Sequence, residues 1–216
     1  MGQGVKERRS AVRVFALICI AARIGVTDAE ERRAPARDRW QMPNEVLSAL
    51  DLKAGEVVAD IGAGPGYFTM RFARAVGPKG KVYAVDIAAP VLEYLKKEAL
   101  KQSLSNVQAI VSRQDDPLLP SSSVDLAFFC DSVHEISNRP SFYRKIRQSL
   151  KKRGRMAVID SIASDSRRGG ASHASGSQVS REATVREAAE AGFRLVKEPK
   201  FLPQQYFLIF EKAVRR

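Results

Sequence analysis

Residues Glu56 to Met70 read EVVADIGAGPGYFTM. A short apolar run, Val57, Val58 and Ala59, ends on Asp60. Ile61 follows, and then glycines stand at every second position: Gly62, Gly64 and Gly66. After them Tyr67, Phe68, Met70, Phe72, Ala73 and Val76 recur at helical spacing. The pattern predicts a strand, a tight glycine turn and a helix. Glycine adopts positive φ without strain and lets a ligand come close to the backbone. A helix that starts there points unpaired N–H groups at that ligand.

Working outward, Gly77-Pro78-Lys79-Gly80 is a turn, and Lys81 to Asp86, KVYAVD, is a second strand that also ends on an acid. An acid about 20 residues beyond a glycine loop is suited to a ribose diol, because one carboxylate accepts from both hydroxyls at once. Loop and acid together predict a nucleoside site. The dinucleotide fingerprint is G-x-G-x-x-G, whereas this loop is G-x-G-x-G with Asp60 two residues ahead of Gly62. That spacing resembles motif I of the class I S-adenosylmethionine-dependent methyltransferases. The resemblance implies S-adenosylmethionine as cofactor and S-adenosylhomocysteine as its product. It also implies cofactor contacts at Asp60, Gly62, Ala63, Gly64, Gly66, Tyr67, Asp86, Ile87 and Cys130. At least one of Asp115 and Asp116 would read the adenine amino group.

The rest of the chain alternates in the same way. Trp40–Leu52 is predicted as a helix with Pro43 in its first turn, followed by helix 90–103 and strand 106–111. Val124 to Cys130, VDLAFFC, is a nearly continuous apolar strand, as a central parallel strand buried on both faces requires. Helix 139–152, a turn at Arg153-Gly154-Arg155 and strand 156–160 come next. Helix 181–191 ends at Gly192, and strands 193–199 and 204–212 close the chain. The connection between these last two is too short for a parallel crossover, so they are expected to pair antiparallel. The fold expected is α/β: a three-layer Rossmann-like methyltransferase fold. The resemblance implies a seven-stranded, mostly parallel sheet in the order 3-2-1-4-5-7-6 with an antiparallel C-terminal hairpin. LKKRGRMAVID, from Leu150 to Asp160, resembles a further family motif, and the likeness spans about residues 40–212.

The 216 residues suit one domain, taken as 40–216, preceded by an extension over 1–39. Within that extension, residues 11–26 are apolar but interrupted by Arg13 and Arg23, too short and broken for a membrane span. A signal sequence, a mitochondrial-type presequence and an amphipathic helix all stay open for residues 1–29, with a cytoplasmic location favoured. Residues 28–39 are expected to be an exposed charged linker, and Ser161 to Ser180, rich in Ser, Gly, Ala and Arg, a mobile loop or a partly disordered segment; the resemblance implies that this region covers the substrate. The formal net charge is +12, which admits nucleic acid as a partner without favouring it, since no nucleic-acid motif accompanies it. Two cysteines, Cys19 and Cys130, make neither a disulfide framework nor a cysteine zinc site.

For chemistry, Asp131-Ser132-Val133-His134-Glu135 lies just past the fourth strand, at the sheet edge where α/β proteins bind ligands. VDLAFFCDSVHEI resembles motif IV and the active-site loop of small-molecule methyltransferases. His134 is the candidate general base, with Glu135 beside it. Thiolate-rich arsenic chemistry does not suit a domain whose one cysteine is Cys130, and Asp131 and Asp160 form an incomplete metal-site pattern, so no metal is expected. The function expected is methyl transfer to a small-molecule acceptor by in-line displacement, and the chain most resembles the broad ubiquinone/menaquinone-type group of methyltransferases. An RNA or protein methyltransferase and a non-catalytic S-adenosylmethionine-binding module are the alternatives. Neither the acceptor nor the oligomeric state is legible.

Overall fold

Strand β4, Val124–Cys130, shows how the sheet is built. Its side chains alternate faces, and residues on both faces are apolar and buried. Phe128 meets Phe68 and Phe72 edge-on at 4.8 and 4.9 Å between ring centroids. Its neighbour Phe129 meets Tyr143 at 5.8 Å on the opposite face. Two apolar layers therefore clasp one sheet. A computed structural model describes residues 36–162 and 179–213. Residues 1–35, with the targeting alternatives and Cys19, lie outside the described residues, as do 163–178 of the expected mobile loop.

The described elements run α1 (Pro43–Leu50), β1 (Val57–Ile61), α2 (Thr69–Val76), β2 (Lys81–Asp86), α3 (Ala89–Lys101), β3 (Val107–Val111), β4, α4 (Arg139–Ser149), β5 (Leu150–Ser161), α5 (Arg181–Glu190), β6 (Phe193–Lys197) and β7 (Gln205–Lys212). The seven strands lie in the order β3-β2-β1-β4-β5-β7-β6, as expected. Pairings from β3 through β5 are parallel, and β7 is antiparallel to both β5 and β6. The order reverses between β1 and β4, which makes their carboxyl ends the ligand crevice of the fold.

Three local expectations are corrected. The expected helix 40–52 is two pieces: residues 36–41 are helical, Met42 breaks them at φ 46°, and α1 begins at Pro43. Residues 36–39 are thus not a wholly exposed linker: they are helical, and Arg37 and Asp38 are half-buried against partners on the domain, while Ala36 and Arg39 stay exposed. Helix 139–152 stops at Ser149, and Arg153-Gly154-Arg155 is part of an extended β5 rather than a turn. The pairing of β4 with β5 slips there, from Val124 opposite Leu150 to Leu126 opposite Arg155. A Cβ on Gly154 would stand 3.0 Å from the Val124 carbonyl oxygen, so glycine lets the strands approach at this bulge. Lys151 and Arg155, two of the basic residues in this segment, bind Asp125 and Glu56.

Candidate active site

The turn after β1 is fixed by its neighbours. Gly62 and Ala63 both donate to the Val85 carbonyl, at 2.8 and 3.1 Å. Gly62 has φ 73°, and a Cβ there would lie 2.5 Å from the Ser132 Cβ. Ser132 is itself held by its Oγ donating to the Ile61 carbonyl at 2.8 Å. Gly62→Ala combines a left-handed backbone with a collision, so an expected loss of about 2–4 kcal/mol follows. Urea unfolding measures it, and adding Ser132→Gly is expected to recover part; equal stability of Gly62→Ala and the natural protein would contradict the packing described.

Gly64, at φ 53°, has open space where a Cβ would stand, and its N–H donates to Asp86 Oδ2 at 3.0 Å. Asp86 Oδ1 accepts from the Ala88 N–H at 2.9 Å. Each carboxylate oxygen offers about two acceptor positions, so the oxygens that tie the loop down can also receive a pair of ribose hydroxyls. Ile87, next along the chain, is 53% exposed, an apolar side chain standing at the crevice rim. Gly66, at φ 96°, packs instead under Met70 and Leu95.

Asp60 is buried at 3% exposure and accepts from Thr69 Oγ1 at 2.6 Å. Burial pushes its carboxyl up to about 6, against the opposing Thr69 hydrogen bond and the Arg37 charge. The folded-state value lies above that of the unfolded chain. Its stability contribution is therefore full below about pH 4 and is lost as pH rises through about 6, a cost of about 3 kcal/mol at neutral pH. Asp60→Asn keeps an acceptor for Thr69 and removes the charge. Urea unfolding between pH 4.5 and 7.5 is expected to show the variant gaining on the natural protein as pH rises. A constant difference across that range would contradict a buried, reluctantly ionised carboxylate.

At the other lip of the crevice, β4 ends on Cys130 and Asp131. Asp131 has φ 52°, a strained backbone that aspartate tolerates and that clusters at functional sites. Its Oδ1 accepts from Gln205 Nε2 at 2.7 Å, and Gln205 Oε1 accepts from Gln41 Nε2 at 2.7 Å. Burial, and then the neighbouring Asp160, raise the Asp131 carboxyl above the usual range. Burial also raises the Cys130 thiol, which keeps it protonated and a poor nucleophile. His134 sits in a single 3-10 turn, Val133–Glu135, and its Nδ1 lies 3.3 Å from Oδ2 of Asp160. Asp160 is 1% exposed at the end of β5, and its Oδ1 accepts from the Ser161 N–H at 2.8 Å.

The expected residues therefore divide. Asp60, Gly62, Ala63, Gly64, Tyr67, Asp86 and Cys130 gather around the crevice. Asp116 is taken up by Lys145 Nζ at 3.0 Å and by the Leu118 N–H, while Asp115 stays exposed. Glu135 is exposed as well; the acid brought to His134 is Asp160. Asp160 carried a readable signal, an apolar run ending on an acid as in β1 and β2. Gln41 and Gln205 carried none, since 164 residues separate them along the chain.

A family profile described as "Methyltransferase domain" matches residues 52–196, more than half of the chain. The chain belongs to the class I S-adenosylmethionine-dependent methyltransferases. This methyltransferase is 33% identical over 143 residues to the aklanonic acid methyltransferase DauC of Streptomyces sp. (strain C5), covering 63% of the chain and 65% of the relative. It is 27% identical over 110 residues to the ubiquinone/menaquinone biosynthesis C-methyltransferase UbiE of Hahella chejuensis, covering 50% of the chain and 44% of the relative. The match thus spans between about two fifths and two thirds of these relatives' lengths. Among solved structures, a SAM-dependent methyltransferase from Aquifex aeolicus superposes with a TM-score of 0.75 at 26% identity, covering 83% of this chain and 94% of that one. The residues present fit the family's cofactor: the Gly64 backbone leaves room for it, and the Asp86 carboxylate has the acceptor chemistry its ribose needs.

Proposed function

We propose that this methyltransferase moves a methyl group from S-adenosylmethionine to an acidic hydroxyl or enolic carbon of a small molecule, and that His134 takes the proton the acceptor gives up. The observation that carries the reading is the His134–Asp160 pair at the carboxyl ends of β4 and β5. A buried carboxylate that accepts from Nδ1–H fixes the tautomer, so the lone pair of the neutral imidazole is on Nε2. That is the arrangement of a general base with its orienting acid. When bound, S-adenosylmethionine supplies a methyl group made electrophilic by its sulfonium. Asp86 and the backbone of Gly62, Ala63 and Gly64 would hold the nucleoside, and Tyr67 and Cys130 would border it.

The work left to the protein is alignment and removal of one proton. Phenols, naphthols and enolic diketones have protons that an imidazole can accept, and their anions are good methyl acceptors. The names of the relatives agree with this class, since DauC is named for aklanonic acid and UbiE for ubiquinone/menaquinone biosynthesis. The test is transfer of radiolabelled methyl from S-adenosylmethionine to a panel of phenols, naphthols and 1,3-diketones. Labelled product in that panel is expected. Label appearing only in RNA or protein, and fading as salt is raised, would contradict the proposal, as would binding without transfer to any acceptor.

A further inference from the structure

We infer that Arg37 recognises the carboxylate at the amino-acid end of the cofactor and its product, and so sets the position of the methionine chain across the crevice. The inference rests on the cofactor reading given above. Sheet order puts β2 on one side of β1 and β4 on the other. Two inter-strand steps of about 4.8 Å separate β2 from β4 by roughly 10 Å. A nucleoside held at Asp86, at the tip of β2, sends its chain over the glycine turn towards the tip of β4. In S-adenosylmethionine and S-adenosylhomocysteine that chain ends in a carboxylate and an ammonium group.

Among the described residues, Arg37 is a cation that the fold places at that end. Its guanidinium lies 4.0 Å from the Tyr67 ring centroid, directly after the last glycine of the turn. The Arg71 guanidinium lies 4.1 Å from the same centroid. Two such groups cannot share one face, so the ring is stacked between them. Asp38 secures the stack, accepting from Tyr67 Oη at 2.5 Å and from Arg71 Nη2 at 2.9 Å. On its far side the Arg37 guanidinium reaches β4, with Nη2 3.8 Å from Cys130 Sγ and 3.9 Å from Asp131 Oδ2.

Gln41 completes a ring of contacts that sets this position. Arg37 Nη2 donates to Gln41 Oε1 at 3.4 Å, Gln41 to Gln205, and Gln205 to Asp131, which returns to Arg37. The guanidinium therefore stands between the glycine turn and the end of β4, within the field of two acids, Asp60 and Asp131. An incoming carboxylate is repelled by those acids and attracted by Arg37, whose planar fork matches a carboxylate. The ammonium group has the opposite preference, so this distribution of charge orients an amino acid as well as holding it.

The test is calorimetric titration of the full chain with S-adenosylhomocysteine, its decarboxylated analogue, and 5′-methylthioadenosine, which has no amino-acid end. Arg37→Gln is expected to weaken S-adenosylhomocysteine by about tenfold or more and to leave methylthioadenosine within about twofold. Arg37→Lys, which keeps the charge, is expected to fall between. In the natural protein, decarboxylation alone is expected to weaken binding by a similar factor, a comparison that needs no variant to fold. Equal losses for both ligands would overturn the inference, because Arg37 would then act only by supporting Tyr67 and the turn. Equal affinity of the natural protein for S-adenosylhomocysteine and its decarboxylated analogue would also overturn it while leaving the cofactor site standing. Failure of the natural protein to bind any of the three would remove the cofactor reading and this inference together.

Discussion

His134→Ala is expected to slow methyl transfer by about 10²–10⁴-fold while leaving cofactor affinity nearly unchanged, since a positioned general base contributes on that scale. The split is expected because His134 follows β4 and meets Asp160 at the end of β5, whereas Asp86, the proposed ribose acid, lies across β1 on β2. Asp160→Asn should act on the same step. It keeps the size of the side chain but presents Nδ1 of His134 with an amide, which no longer dictates one tautomer. The two losses are expected to be strongly non-additive, because a base without its orienting acid and an acid without its base are defects in one unit. Single-turnover transfer to the acceptor found in the panel, with cofactor binding measured in parallel, separates the steps. A natural rate for His134→Ala would remove the base assignment and leave the fold and cofactor crevice intact.

Asp86→Ala carries the second large effect. The carboxylate bonds the Gly64 and Ala88 N–H groups and, on this account, two ribose hydroxyls. Hydrogen bonds to a charged partner contribute about 1.5–3 kcal/mol each. Loss of the ribose pair alone should therefore weaken S-adenosylhomocysteine by 10²-fold or more. The N–H groups of Gly64 and Ala88 lose their acceptor as well, so the glycine turn is expected to loosen and the thermal midpoint to fall slightly. Asp86→Glu keeps the charge but moves it by one methylene, and should recover only part of the affinity. Calorimetry on the three proteins checks the order.

The strands were legible because they announce themselves locally, whereas their order in the sheet was what the family resemblance implied. Val57–Ile61, Lys81–Asp86 and the second half of β5, Met156 to Asp160, are largely apolar runs that carry an acid at or near the carboxyl end, and VDLAFFC is apolar on both faces. The short link between β6 and β7 was enough to expect an antiparallel pair. The site was legible on its β2–β1 side for the same reason: loop and acid are neighbours in sequence, and their spacing is set by one βαβ unit. Its β4–β7 side was legible only at the end of β4, where Cys130, Asp131 and His134 stood out. Arg37, Gln41, Asp131 and Gln205 come from distant parts of the chain, and their contacts arise only once β7 lies beside β5. Arg37 and Asp38 sit in a run of charges, a composition that reads as a solvated linker until Tyr67 is found between two guanidiniums. Asp115 and Asp116 show the limit from the other direction: an acid pair after β3 suits adenine, and only the folded chain distinguishes the two, engaging Asp116 with Lys145 from α4 and leaving Asp115 exposed.

The most direct test of the central claim, a nucleoside crevice bounded by the glycine turn and Asp86, is a crystal structure of the full chain grown with S-adenosylhomocysteine. Density is expected across the carboxyl ends of β2, β1 and β4, with both ribose hydroxyls on the Asp86 carboxylate and the sulfur lying over the turn towards Cys130. Density that leaves Asp86 bound to backbone alone, with the nucleoside elsewhere on the protein, would contradict it.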